Sequence, residues 1–206
     1  MAKPQIMNKR FSSQIFTNTF ILFFLLCVGC SRSLDSSTNS DPHYANLHSL
    51  TATLIDGKPV SLDIFKGKVV LIANISLHCG TTPQLLSLET LYQTYKNAGL
   101  VVLGFPSNDF TGESKDSQEI EHICQTKYGV TFPLFESDAI LGKNKQVVFE
   151  YLTTSGPKNT RGEVMFNMEK FLIDRNGNIR ERFGPFTNAM SVTLTNEVES
   201  LLNEKN

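Results

Sequence analysis

Thiol chemistry needs a cysteine placed where its thiolate is stabilised. In NISLHCGTTPQLLSLETLY the candidate is Cys79, which follows an apolar run and precedes a helix-like pattern. A helix N-terminus carries unpaired N–H groups and partial positive charge, which favour a thiolate. In open α/β sheets, sites also form beyond the carboxyl ends of strands. The same placement suits a small buried hydrophobe, so position alone leaves both readings open. Gly80, Thr81 and Thr82 follow without a second cysteine, which disfavours CxxC dithiol chemistry. His78 could bring positive charge, but adjacent side chains diverge and it is expected to point elsewhere. The four histidines and the two cysteines beyond Cys30 show no metal-ligand spacing. No phosphate loop or catalytic triad signature stands out, and no cofactor is implied. A formal net charge of -1 gives no basic footprint for nucleic acid.

The elements that must hold Cys79 are readable. KGKVVLIANIS is continuously apolar and β-branched, as in a strand buried on both faces. TTPQLLSLETLYQTYKNAG predicts a helix, with Thr81 or Thr82 as cap, Pro83 in the first turn and Gly99 at the end. Leu85, Leu88, Leu91, Tyr92 and Tyr95 form its apolar stripe. LVVLGFP is a second buried strand, completing a βαβ unit with parallel strands. DSQEIEHICQTKYG predicts a second helix, with Ile120, Ile123, Cys124 and Tyr128 on one face. VVFEYL reads as a short helix and VTLTNEVESLLN as a closing one. Hairpins are expected at Asp56-Gly57 and at Asn176-Gly177. The sheet is expected to be mixed, parallel in its centre with an antiparallel hairpin at one edge.

The N-terminus differs in kind. Lys9 and Arg10 precede the apolar FTNTFILFFLLCVG, which is too short for a convincing spanning helix and reads as an export signal. Met7 offers an alternative start. The ending LLCVGC resembles a bacterial lipobox, in which Gly29 precedes the lipid-modified Cys30; Cys27 stands where leucine is usual. That resemblance implies a signal over 1–30 and a lipoprotein anchored on the periplasmic side; an ordinary signal peptide or an uncleaved anchor, with both cysteines merely apolar, is the alternative. Ser31 lacks the usual aspartate retention signal and leans towards an outer membrane. Residues 31–48, rich in Ser, Asn and Asp, read as a flexible tether, and 49–206 as one domain. With the signal removed, Cys79 and Cys124 remain, and an exported domain with two cysteines is either bridged or redox-active.

The segment NISLHCGTTPQLLSLETLYQTYKNAGLVVLGFPSNDF is similar to the glutathione peroxidase family. The likeness continues through EIEHICQTKYGVTFPLFE and FNMEKFLIDRNGNIRERFGP, over roughly residues 49–203. It implies a thioredoxin-like α/β fold and a thiol peroxidase acting on hydrogen peroxide and organic or lipid hydroperoxides. Cys79 is then the peroxidatic residue, attacking a peroxide oxygen and becoming a sulfenic acid. Cys124 matches the resolving cysteine of members that use thioredoxin, although it also suits simple packing in its helix. If both cysteines sit on formed elements, a bridge requires local unwinding of the second helix.

In the family a Gln, a Trp and an Asn surround the reactive residue. Asn167 matches the Asn, Phe166 stands for the Trp, and Asp109 for the Gln. Phe donates no hydrogen bond, and an ionised Asp would repel a thiolate. The Gln-Glu-Pro run after this loop is replaced by Glu113-Ser114-Lys115. These departures favour a retuned or weaker peroxidase, and keep open a non-catalytic redox sensor or binding module on the same fold. Asn74 and Asn108 are expected to bond backbone in loops around the site. Thr81 and Gln84 match the family segment, with capping or packing as sufficient reasons. The short linker at 153–165 lacks the insertion of tetrameric members. It implies a monomer with an open site, served by a thioredoxin-like protein in preference to glutathione.

Overall fold

A computed structural model describes residues 44–110 and 116–204. In chain order the elements are strands β1 (Thr51–Thr53), β2 (Pro59–Ser61) and β3 (Val69–Ile75), helix α1 (Gln84–Tyr95), strand β4 (Leu100–Pro106), helices α2 (Ser117–Tyr128) and α3 (Val147–Thr154), strands β5 (Lys170–Ile173) and β6 (Ile179–Phe183), and helix α4 (Val192–Asn203). β1 and β2 pair antiparallel as a separate hairpin. Its turn has Gly57 at φ +83°, the left-handed conformation that glycine adopts without cost.

β3 explains its own composition. Val69, Leu71, Ala73 and Ile75 enter one core, and Val70 and Ile72 enter the other. A strand covered on both faces has no use for polar alternation. The first core receives Leu85, Leu88 and Leu91 from α1, Ile120 and Cys124 from α2, and Leu194, Val198 and Leu201 from α4. The second is aromatic: Phe105 stacks on Phe135 at 4.2 Å, and Phe149 from α3 meets Phe105 edge-on at 5.7 Å.

The four-stranded sheet runs β4-β3-β5-β6, with β3 parallel to β4 and the other pairs antiparallel. The sheet is therefore mixed, but the parallel pair occupies one side, because β5 pairs directly with β3. The outer edge of β4 is partly covered by Pro133–Phe135: Gly104 N–H donates to Pro133 O, and Phe135 N–H donates to Gly104 O, both at 3.0 Å. A Cβ on Gly104 would lie 2.8 Å from Leu134 Cδ2 and 3.0 Å from Phe132 Cε2, so a side chain there would make both neighbours shift.

Helix ends follow local chemistry. Asp116 caps α2 by accepting from Gln118 and Glu119 N–H, and Gly129 closes it at φ +66°. α1 passes through a short 3-10 turn, Lys96–Ala98, before Gly99 at φ +108°. The β5–β6 loop is longer than a two-residue turn. The Asp174 carboxylate accepts from Asn176 and Asn178 N–H within it. Packing begins before residue 49, since Leu47 is fully buried in the aromatic core.

Candidate active site

The chain leaves β3 at Ile75 and reaches α1 at Gln84 through the turn that carries Cys79. Thr82, buried, clips this turn together. Its hydroxyl is within hydrogen-bond distance of Ser76 O (2.8 Å) and Cys79 O (2.6 Å), and Cys79 N–H donates to its oxygen at 3.2 Å. The expected threonine cap is thus used otherwise: Pro83 precedes α1 without a side-chain cap, and Thr82 shapes the cysteine loop. Thr81 serves the sulfur. Its hydroxyl lies 3.0 Å from Cys79 Sγ, and its backbone N–H donates to Sγ at 3.5 Å. Hydrogen bonds donated to sulfur favour the charged form. Cys79 is half-buried and His78 is exposed beside it.

A second segment is locked to β3 by Asn74. The Asn74 side chain accepts from Glu169 N–H at 2.8 Å and donates to Phe166 O at 3.2 Å. Its backbone O accepts from Met168 N–H at 2.8 Å, and its N–H donates to Glu169 O at 3.2 Å. This grip holds Met168 at φ +66°, an unusual conformation for a non-glycine residue that costs roughly 1–2 kcal/mol. Asn167 sits within the gripped segment, fully buried. Asn74 bonds backbone, as expected, but from the sixth position of β3 in the interior and not from a loop, and its backbone bonds also reach across to 166–169.

The loop after β4 brings in the remaining candidates. Ser107 N–H donates to Ile75 O at 3.3 Å, joining the ends of β3 and β4. Asp109 Oδ2 accepts from Ser107 Oγ at 2.9 Å and from Ile140 N–H at 2.6 Å. One carboxylate oxygen is therefore committed to fastening this loop to the chain near Ile140. Asn108 is half-buried in the same loop. Phe166 lies between two rings, Phe110 at 5.7 Å and Phe186 at 6.4 Å. Phe186 and Met165 are each 80% exposed, so this end of the sheet carries an apolar rim. Glu113, Ser114 and Lys115 lie outside the described residues, as does Cys30.

Cys124 is fully buried on α2, with Ile120 and Tyr128. Both Cys79 and Cys124 are thiols. Among the described residues, no group of three or more His, Cys, Asp or Glu side chains is placed to hold a metal ion. A cavity of about 660 Å³ lined by Tyr44, Lys145, Glu150 and Glu163 lies on the α3 side and includes neither cysteine.

This arrangement has counterparts. The family model for glutathione peroxidase matches residues 47–153. The chain belongs to the glutathione peroxidase family. It is 40% identical over 158 residues to the glutathione peroxidase homolog BsaA of Halalkalibacterium halodurans, covering 76% of this chain and 99% of that one. It is 38% identical over 163 residues to the hydroperoxy fatty acid reductase of Synechocystis, covering 76% and 95%. It is 42% identical over 151 residues to the glutathione peroxidase-like peroxiredoxin HYR1 of Saccharomyces cerevisiae, covering 72% and 91%. Among solved structures it is similar to Trgpx in apo form, with a TM-score of 0.65 and 26% identity over 79% of this chain and 98% of that one. The fold is thioredoxin-like, and the protein is a peroxide-reducing thiol peroxidase.

For a peroxidase of this family, one supporting residue, Lys170, goes unread in the sequence. Backbone bonding is expected of Asn74, but one polar residue in an apolar strand does not reveal which segment it grips. Lys170 starts β5 and is fully buried, with Nζ donating to Gln84 Oε1 and Thr187 O, both at 2.6 Å. Burial pulls its pKa down to about 8. Gln84, in turn, donates from Nε2 to Pro185 O at 2.7 Å. A lysine opening a core strand was the available signal.

Proposed function

We propose that Cys79 reduces organic hydroperoxides, lipid hydroperoxides among them, as well as hydrogen peroxide. The observation that carries this reading is the half-buried thiol, bonded by Thr81, at an end of the sheet rimmed by Phe110, Phe166, Phe186 and Met165. An apolar rim gives an alkyl chain somewhere to lie while its hydroperoxide meets the sulfur. The thiolate attacks one peroxide oxygen, the O–O bond breaks, and the leaving alkoxide takes a proton to become an alcohol. Cys79 is left as the sulfenic acid. The Cys124 thiol then attacks that sulfur, water leaves, and a disulfide forms. A dithiol protein of the thioredoxin type reduces it. The relative named a hydroperoxy fatty acid reductase supports the substrate class, and the peroxiredoxin-named relative supports the reductant.

The protein acts as a monomer, held at a membrane through lipid on Cys30, on the periplasmic side. The lipobox-like LLCVGC and the polar tether support this part of the reading. Labelling with radioactive palmitate checks it: label is expected on the wild type and absent from Cys30→Ala. For the activity, protein lacking residues 1–30 is assayed for peroxide loss with a thioredoxin system. Cumene hydroperoxide is expected to be consumed at least as fast as hydrogen peroxide, and Cys79→Ser to lose turnover by about a thousandfold or more. Wild-type consumption no faster than Cys79→Ser would end the reading.

A further inference from the structure

Buried lysines are expensive, and Lys170 is fully buried with two neutral acceptors, Gln84 Oε1 and Thr187 O. Its position is specific. Lys170 pairs with Ala73 of β3, one residue before Asn74. Gln84 opens α1, and Thr187 lies in the loop between β6 and α4. The ammonium therefore ties the start of α1 to the loop that carries Phe186. From there a continuous chain of bonds reaches the sulfur. Gln84 N–H donates to Thr81 O at 2.9 Å, and the Thr81 hydroxyl lies 3.0 Å from Cys79 Sγ.

The charges around Lys170 are few. Glu169 is adjacent, and its carboxylate is held by Arg182, whose Nε donates to it at 2.7 Å. β3, the first turn of α1 and residues 184–191 carry no titratable side chain; β6, paired with β5, carries Glu181 and Arg182, and the turn before α1 carries the exposed His78 beside Cys79. Positive charge at Nζ thus stands beside the N-terminal end of α1, with Glu169 its adjacent carboxylate, and there it adds to the helix dipole.

We propose that Lys170 is a positioning residue for the peroxidatic thiolate: its buried ammonium fixes the Cys79–Gln84 turn and adds positive charge at the start of α1. This rests on Cys79 as the reacting group. An ammonium that has lost its proton near pH 8 also loses part of this support, consistent with the depressed pKa.

The test uses the reduced full-length protein in detergent and iodoacetamide, with alkylation read at the Cys79 peptide by mass spectrometry across pH. Lys170→Met is expected to slow alkylation near neutral pH about tenfold and to shift the profile to higher pH by about one unit. Lys170→Arg, which keeps the charge in a different shape, is expected to shift the profile less than Lys170→Met. Gln84→Met, which removes the relay but keeps the charge, is expected to give a smaller shift in the same direction. Circular dichroism establishes folding. A folded Lys170→Met with an unmoved profile overturns the proposal. If that variant does not fold, Gln84→Met decides, and an unmoved profile there overturns it. Absence of peroxide consumption by the wild type would break the functional reading separately, because alkylation needs no peroxide.

Discussion

The two cysteines of the folded domain occupy opposite surroundings. Cys79 lies in a turn, half-buried, with Thr81 bonded to its sulfur and Thr82 holding its backbone. Cys124 lies on a capped helix, fully buried among Ile120, Tyr128 and the leucines of α1. In the proposed mechanism the first environment supports a thiolate that meets the peroxide, and the second holds its thiol back until the helix opens. A peroxidase that used both would have its chemical step set by the turn and its resolving step set by the stability of α2. That division makes the two steps separable by mutation.

Cys124→Ser removes one of the two environments outright. It is expected to lower thioredoxin-driven turnover by about a hundredfold while leaving the first oxidation of Cys79 intact, as seen by trapping the sulfenic acid with dimedone. Asn74→Leu attacks the other side. It leaves Phe166 O and Glu169 N–H without their side-chain partner and releases the segment of Met168 and Asn167. Stability is expected to fall by about 2–4 kcal/mol in urea titrations, and single-turnover oxidation by at least tenfold. Resolution by Cys124 should be unchanged.

Lys170 gives a pH signature of comparable size. Its pKa falls from 10.5 to about 8 on folding. Between those values the unfolded chain binds more protons than the folded one, so this group makes stability rise with pH over that window. The penalty is complete below about pH 8 and amounts to at most ~3 kcal/mol. Urea midpoints across the window should rise from this contribution, and Lys170→Met should remove it. The smallest effect is expected at the start of α2. Asp116→Ala removes the cap on α2 and costs about 1 kcal/mol of helix stability. Disulfide closure after oxidation is then expected to speed up roughly fivefold, with the oxidation step unaltered.

Periodicity and punctuation made most of the fold legible. Continuous apolar β-branched residues marked β3 and β4, the leucine spacing marked α1, and the glycines at 57, 99, 129 and 177 marked turns that have positive φ. The order of strands was harder to read, because whether β5 lies beside β3 or at an edge leaves no local trace. At the site, Cys79 was visible through its position and its motif. Thr82 and Asn74 were visible as a helix cap and a backbone-bonding residue, but not their partners: Thr82 turns back to Ser76 O within the cysteine loop, and Asn74 reaches a segment more than 90 residues away. Asp109 shows the same limit. The sequence offers only its charge, while the folded chain also gives it a structural task, with Oδ2 accepting from Ser107 Oγ and the Ile140 N–H.

If a turn-held Cys79 reacts and a helix-buried Cys124 resolves, peptide mass spectrometry of reduced protein after one equivalent of cumene hydroperoxide will show it. The expected product is a disulfide joining Cys79 and Cys124, absent from Cys79→Ser. Recovery of Cys79 as an unmodified thiol, with the hydroperoxide unconsumed, would contradict the account.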